Sequence, residues 1–342
     1  MNSGYAHKMQ PDVIDLSRGD AGGAERPLRV LDVHEFMAIE LPEREDLLSP
    51  WMQTQSLSMI YAWRGVGKTH VALGISYAVA SGDTFLGWTA PKPRQVLFID
   101  GEMPAAALQE RLAAIITSAE REAPPGMLRI VTPDLQGSCM PDLATSRGQA
   151  AINAVIEADT ALIVVDNLSC LVRRNGRENE AESWLSLAEW ALSLRAQGKS
   201  VLFIHHAGKN GDQRGTSKRE DLLDTVICLR RPPHYQPQDG AVFEIHFEKS
   251  RQLCGTHVEP YEAQLLHDDQ GRSVWTLRAI ADSTIECVAK LTQEGLSQKE
   301  IADELHIHKS NVSRSLRKAE AHGLLKRRTH DRPNHQVARS TR

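Results

Sequence analysis

Residues 62–69 have the sequence Ala-Trp-Arg-Gly-Val-Gly-Lys-Thr, which combines two glycines with two cations and a hydroxyl. An apolar run precedes them and an apolar-periodic segment follows, so we predict a strand, a turn and the start of a helix. Unpaired N–H groups at a helix N-terminus bind phosphate oxygens, and glycines let the backbone approach closely. Lys68 would bring positive charge to the β- and γ-phosphates, and the Thr69 hydroxyl would bind Mg²⁺. The sequence predicts ATP and Mg²⁺ as ligands, with nucleotide contacts from Gly65, Val66, Gly67, Lys68, Thr69 and His70.

The first position of this pattern is usually glycine, but here it is Ala62. A side chain is tolerated at such a position when the backbone φ is negative. We therefore expect a negative φ at Ala62.

Two acidic residues follow apolar runs and are predicted to lie near the phosphates. In a parallel sheet, ligands bind beyond the carboxyl ends of the strands. Asp166 ends the run ALIVVD and is predicted to help hold Mg²⁺. Glu102 follows VLFIDG and is predicted to polarise the water that attacks the γ-phosphate. Asp100 is an alternative for that second role.

Short apolar runs and helical patterns alternate from Ser56 onward and predict the fold class. The middle runs, such as VLFID and ALIVVD, are apolar at nearly every position, which is typical of strands buried on both faces of a parallel sheet. We predict an α/β fold: a doubly wound, mostly parallel sheet with helices on both faces. The alternating runs AVFEIHFEKS and SVWTLRA predict antiparallel strands at one edge of the sheet.

Composition bounds the class of protein. The chain has 342 residues, of which 41% are hydrophobic and 25% charged, so a wholly disordered chain is excluded. We find no apolar stretch long enough to cross a bilayer and no secretory signal, so we predict a cytoplasmic protein without a membrane partner. The five cysteines lie far apart and include no CxxC pair, so we expect free, mostly buried thiols.

Seven segments together resemble the RecA-core ATPases typified by plasmid RepA-type hexameric replicative helicases. In the order in which that family has them, they are AWRGVGKTH, ASGDTFLGW, VLFIDGEM, LIVVDNLS, FIHHAGKNG, QRGTS and FEKSR. The resemblance implies a RecA-like core and a homo-oligomeric ring, with ATP bound between neighbouring subunits. It implies that Lys68 and Thr69 are the nucleotide-loop pair, that Glu102 is the catalytic glutamate and that Asp166 is on the magnesium side. It also implies that His205 senses the γ-phosphate.

The same resemblance implies a cation that reaches the γ-phosphate of the neighbouring subunit. Arg214 is the first candidate, and Lys249 and Arg251 are alternatives. The polar segment 208–220 would line the central hole of a ring. Its cations would bind the phosphates of single-stranded DNA, and those predicted for this role are Lys209, Lys218 and Arg219.

The pattern becomes all-helical near Asp282. Ser297 and Ser310 are predicted to cap two successive helices, whose apolar residues would pack around a small core. The segment LSQKEIADELHIHKSNVSRSLRKAEAHGLLKRR resembles the winged helix-turn-helix domains of bacterial DNA-binding proteins. The resemblance implies that the second helix of the pair enters the major groove of DNA and presents Lys309, Asn311, Ser313, Arg314 and Arg317. Docking to another protein is the alternative role.

These observations divide the chain into four predicted parts. We predict a flexible leader over residues 1–27, a RecA-like ATPase core over 28–280, a winged helix-turn-helix over 281–330 and a basic flexible tail over 331–342. From Lys309 to Arg342 there are ten basic residues against two acidic ones, which favours contact with nucleic acid.

The leading hypothesis is a ring-forming ATPase that acts as a DNA helicase or translocase. It would bind single-stranded DNA in its channel, with a further contact to double-stranded DNA, during replication of a plasmid or mobile element. The alternatives are an ATP-regulated DNA-binding regulator, a recombination-type RecA-core ATPase without unwinding activity, and a nucleotide-binding scaffold with little turnover.

Overall fold

The computed structural model describes residues 28–137, 139–172, 180–207, 221–233, 235–269 and 271–325. These residues form two units. The first comprises the described residues in 28–231 and 240–277, and the second those in 232–239 and 278–325.

Nine strands of the described residues form one sheet. In chain order they are β3 (Leu57–Ala62), β6 (Gln95–Asp100), β7 (Leu128–Val131), β8 (Thr160–Asp166), β9 (Ser200–His206), β10 (Thr225–Arg230), β11 (Val242–Ser250), β12 (Tyr261–His267) and β13 (Ser273–Ala279). Two short hairpins lie outside it: β1 (Asp46–Leu48) with β2 (Met52–Gln53), and β4 (Thr84–Phe85) with β5 (Trp88–Thr89).

The order across the large sheet is β13-β12-β11-β10-β3-β9-β8-β6-β7. The six strands from β10 to β7 are parallel to one another. β11 is antiparallel to both β10 and β12, so the predicted antiparallel edge is confirmed. The strand β12 was missing from the sequence prediction.

Helices connect and cover the strands. They are α1 (Val33–Ala38), α2 (Lys68–Ser81), α3 (Ala105–Ser118), α4 (Ser146–Asn153), α5 (Leu168–Leu171), α6 (Glu180–Ala196), α7 (Ile280–Gln293), α8 (Gln298–Glu304) and α9 (Lys309–Ala321). No helix of the described ranges is long and apolar enough to cross a bilayer.

The parallel strands are buried on both faces, because successive residues point to opposite sides of a sheet. Ile60 packs in one apolar cluster with residues of α2, whereas Met59 packs in a second cluster with residues of α6. Helices therefore cover both faces. The predicted α/β class, a mostly parallel sheet between two helical layers, is confirmed.

The second unit contains the three helices predicted near the C-terminus. Val288 from α7, Ile301 from α8 and Val312 from α9 share one buried cluster. Ser297 caps α8 as predicted, in a capping box with Glu300. The prediction for α9 was wrong by two residues. His308 is the cap and accepts a hydrogen bond from the backbone N–H of Ser310, which lies inside the helix.

The cysteines also differ from the prediction. All five are free, but Cys139 and Cys254 are exposed, Cys170 and Cys287 are half-buried, and only Cys228 is buried. Apolar composition around a cysteine in sequence does not report whether its strand end or turn faces solvent. Four of the five thiols therefore have some access to solvent.

Candidate nucleotide-binding site

The phosphate loop connects β3 to α2. Gly65 has a φ of 75° and Gly67 a φ of 119°, both in the left-handed region that residues with a side chain adopt rarely. Gly67 is also the N-terminal cap of α2. Ala62 ends β3 and is not among the residues with positive φ, as expected. The two glycines therefore permit a turn that the rest of the loop sequence would disfavour.

A cavity of about 590 Å³ lies above this loop. Gly65, Gly67, Lys68 and Thr69 line it, whereas two of the predicted contacts do not. Val66 is buried in the apolar cluster beside α2. His70 lines a different cavity, where its ring lies 5.6 Å from that of Trp275. The cavity is lined by Arg64, Gly65, Gly67, Lys68, Thr69, Glu102, Met103, Arg111, Asn167, Ser169, Cys170 and His206.

The side chain of Lys68 is held against its own loop. Its Nζ donates to the carbonyl oxygens of Ala62 and Trp63, at 3.1 Å each. Burial lowers the pKa of Lys68, and the carboxylates of Asp166 and Glu102 partly oppose that shift. A cation with only two neutral acceptors in a cavity is suited to bind an anion.

Asp166 ends β8, beneath the loop. Burial, together with the charges of Asp100 and Glu102, raises its pKa to about 7, although a hydrogen bond from Thr69 and the charge of Lys68 oppose the shift. Its Oδ2 is buried and has no hydrogen-bond partner in the part of the chain that the structure describes. An unsatisfied buried carboxylate oxygen beside a hydroxyl is a donor set that suits Mg²⁺. The residues therefore fit the predicted cation, with Thr69 and Asp166 as the groups that would hold it.

Glu102 faces the same cavity from the turn after β6. Burial would raise its pKa, but hydrogen bonds from Cys170 and Asn167 and the charges of His206 and Lys68 outweigh this and lower it. Glu102 is therefore ionised at neutral pH and can accept a proton.

Asp100, the alternative for that role, lies under the turn and is only 1% exposed. Its carboxylate accepts hydrogen bonds from the backbone N–H groups of Glu102 and Met103 and from the Thr132 hydroxyl. Burial raises its pKa, although these bonds oppose the shift. Asp100 therefore holds the turn, and Glu102 is the carboxylate presented to the cavity.

The two histidines at the end of β9 point to opposite faces of the sheet. His205 pairs in register with Tyr61, which belongs to the cluster on the α6 side, and is 6% exposed. His206 pairs with Ala62 and lines the phosphate cavity. The structure thus brings His206, and not the predicted His205, beside Glu102.

Lys249 and Arg251 lie far from the phosphate loop of their own chain. Val226 at the start of β10 pairs with Lys249, whereas Leu229 near its end pairs with Ala62, so the two cations are at the opposite edge of the sheet. Both donate to the carbonyl oxygen of Asp221. A role at their own cavity is excluded, which leaves the predicted role at a neighbouring subunit. Four predicted site residues lie outside the described residues: Lys209, Arg214, Lys218 and Arg219.

Sequence reasoning missed several residues around the loop. Arg231 donates from its Nη2 to the Gly65 carbonyl oxygen at 3.0 Å. Asn167, Ser169 and Cys170 line the cavity from the segment that follows β8. Their place just beyond the carboxyl end of a central strand was the available signal.

In the second unit, α9 presents a basic, exposed face. Lys309, Asn311, Arg314 and Arg317 are exposed, and Ser313 is half-buried. Val312, Ser315 and Ala319 face inward. The residues predicted to contact DNA therefore share the solvent-facing side of one helix.

Comparison with known proteins gives two family matches. A family model described as an AAA domain matches residues 24–212, and a model of the MarR family matches residues 291–333. No curated protein matches this chain.

Solved structures resemble the chain at low identity. A KaiC-like protein from the hyperthermophilic archaeon Pyrococcus horikoshii OT3 has 16% identity and a TM-score of 0.48, covering 67% of this chain and 93% of its own. An isolated ATPase domain has 13% identity and a TM-score of 0.44, covering 64% and 84%. The RadB recombinase has 15% identity and a TM-score of 0.40, covering 64% and 90%.

Proposed function

This chain belongs to the AAA domain family, whose model matches more than half of its residues, and on that premise we propose that it binds and hydrolyses ATP with Mg²⁺. The observation that carries the proposal is the single cavity in which the phosphate loop, Glu102 and Lys68 meet above the buried carboxylate of Asp166.

Each group has a role that its surroundings support. Lys68 and the N–H groups at the start of α2 bind the β- and γ-phosphates. Thr69 and Asp166 hold Mg²⁺, which when bound neutralises charge on the phosphate oxygens. Glu102 orients a water and accepts its proton, because its pKa is lowered and it stays ionised. His206 adds positive character beside Glu102.

For His206 we expect a larger effect on hydrolysis than for His205. His206→Ala removes a group beside Glu102 and is expected to lower the rate of ATP hydrolysis roughly tenfold, equivalent to about 1.4 kcal/mol. His205→Ala is the matched control, with a rate within about threefold of the parent and a lower melting temperature because the side chain is buried. Steady-state phosphate release measures both rates. The reverse order would restore His205 as the γ-phosphate sensor.

Beyond ATP hydrolysis, we propose that the protein is a ring-forming DNA helicase or translocase of the RepA type. Its parts would be the ATPase core of residues 28–280, a winged helix over 281–330, and flexible ends. Arg214, Lys249 or Arg251 would act on the ATP of the neighbouring subunit, and Lys209, Lys218 and Arg219 would contact single-stranded DNA. The position of Lys249 and Arg251 away from their own cavity supports a role across a subunit boundary.

The match of residues 291–333 to the MarR family and the exposed cations of α9 support DNA binding by the C-terminal unit. They equally favour the alternative of an ATP-regulated DNA-binding regulator. Strand displacement on a forked DNA, measured together with ATP consumption, separates the two. ATP consumption with unwinding supports the helicase, and ATP consumption without unwinding, with protection of one duplex sequence, supports the regulator.

Arg314→Ala and Arg317→Ala are each expected to weaken DNA binding and to make it less dependent on salt. An arginine that binds a phosphate contributes about one to the slope of log affinity against log salt, whereas an arginine that binds a base edge contributes sequence preference instead. Fluorescence anisotropy over a salt series measures the slope. Lys290→Ala, an exposed cation on α7, is the matched control. Unchanged binding in both arginine variants would favour protein docking by α9.

A further inference from the structure

Cys170 lies at the wall of the phosphate cavity, in the single turn of helix α5 that follows β8. It is half-buried, and its Sγ lies 3.0 Å from Oε2 of Glu102. A carboxylate has no proton to give at this position, so the thiol is the donor and Glu102 the acceptor. Of the five cysteines, it alone is among the residues that line this cavity.

The thiol keeps its proton at neutral pH. Burial, together with the hydrogen bond to Glu102 and the negative charge of that carboxylate, raises the pKa of Cys170 to about 12. Asn167, the N-terminal cap residue of the same short helix, gives Glu102 a second side-chain hydrogen bond. One turn of the chain therefore supplies two donors to a single carboxylate.

The backbone around Glu102 is shaped for this contact. The N–H of Gly101 donates to the Asp166 carbonyl oxygen at 2.7 Å, which ties the turn after β6 to the end of β8. A Cβ at Gly101 would lie 2.8 Å from Leu171 Cγ and 3.1 Å from Cys170 Cβ. The close approach of the two segments therefore depends on glycine at that position, and it places the thiol beside the carboxylate.

We propose that Cys170 is a positioning residue for Glu102: its thiol fixes the carboxylate in the orientation that activates water. The inference rests on the proposed ATP hydrolysis, in which Glu102 is the proton acceptor. It has a chemical consequence, since a reagent that alkylates Cys170 replaces the donor hydrogen by a bulky group and displaces the carboxylate.

Two substitutions test the donor. Cys170→Ser keeps a hydrogen-bond donor and is expected to keep kcat for ATP hydrolysis within about threefold of the parent. Cys170→Ala removes the donor and is expected to lower kcat about tenfold, while KM and ATP affinity stay within about twofold. A structural role alone would impair both variants or change KM. Equal kcat in Cys170→Ala and the parent, or equal loss in both variants, would overturn the proposal.

Alkylation tests the same contact without a substitution at Cys170. In a Cys139→Ser, Cys254→Ser background, which removes the two exposed thiols, iodoacetamide should inactivate hydrolysis in step with labelling of Cys170, followed by mass spectrometry of its peptide. The reaction forms an S–C bond and releases iodide and the thiol proton. Complete labelling of Cys170 with full activity would count against the proposal.

A third measurement does not depend on hydrolysis. Glu102→Gln removes the carboxylate that holds the thiol proton, so Cys170 should be alkylated several-fold faster at pH 8, whereas Glu110→Gln on α3 should have no effect. Equal labelling rates would exclude the contact even if the chain hydrolyses ATP. A parent chain that binds but does not hydrolyse ATP would overturn the proposed function, and with it the role of Cys170, whatever the labelling rates.

Discussion

Glu102→Gln is expected to bind ATP with nearly the affinity of the parent chain and to hydrolyse it about 10² to 10⁴ times more slowly. The amide has the shape of the carboxylate but cannot accept the proton of the attacking water, and general base catalysis contributes a factor of this size. The lowered pKa of Glu102 makes it the ionised acceptor that the parent uses. Single-turnover phosphate release, with nucleotide binding measured separately, checks both parts.

The matched control for this substitution is Glu110→Gln, because Glu110 is exposed on α3 and does not line the cavity. It should leave hydrolysis unchanged. If Glu102→Gln retains the parent rate, the general base lies elsewhere. Asp100→Asn would not then be a clean alternative, because its carboxylate holds the turn that carries Glu102.

Lys68→Ala is expected to weaken ATP binding roughly 10- to 100-fold and to abolish measurable hydrolysis. A charge-assisted contact is worth about 1.5–3 kcal/mol, which converts to an affinity change of that size. The substitution also removes the positive charge nearest Asp166 and Glu102, so it acts on the transition state as well. Titration with a fluorescent ATP analogue measures affinity, and phosphate release measures the rate.

Lys92→Ala is the matched control for Lys68→Ala. Lys92 is exposed and pairs with Glu45 at the surface, so its removal should change neither binding nor rate. Parental ATP affinity in Lys68→Ala would contradict the position of the phosphates above this loop. Mixed with Arg214→Ala chains, Lys68→Ala chains should recover some hydrolysis if the two groups serve one shared site.

The phosphate loop could be predicted because its determinants are local. Gly65 and Gly67 are needed where the backbone has positive φ, and Lys68 begins α2 directly after them. The parallel strands were equally accessible, since burial on both faces leaves uninterrupted apolar runs such as ALIVVD. Strand ends then located Asp166 and Glu102.

Positions that depend on which face a side chain occupies could not be predicted. His205 and His206 differ by one residue, and a step of one residue in a strand moves a side chain to the other face of the sheet. The family pattern selected His205, whereas the register with Tyr61 and Ala62 places His206 in the cavity. In the same way, helix rotation directs His70 toward Trp275 and away from the phosphate cavity.

Contacts between distant segments left no trace in local sequence. Glu102 and Cys170 are 68 positions apart, and their hydrogen bond arises because β6 and β8 are neighbours in the sheet. The strand β12 also escaped prediction. Its sequence YEAQLLH alternates weakly, because it lies near a sheet edge where several of its side chains are only half-buried.

The hydrogen bond from Arg231 to Gly65 has a consequence for how the two halves of the sheet communicate. Arg231 directly follows β10, the strand at which parallel pairing gives way to antiparallel pairing. The antiparallel edge is thereby linked to the loop that faces the phosphates by a route that bypasses α2. A sliding of β10 along its own axis, by even a fraction of a hydrogen-bond length, draws the Gly65 carbonyl with it or breaks this bond.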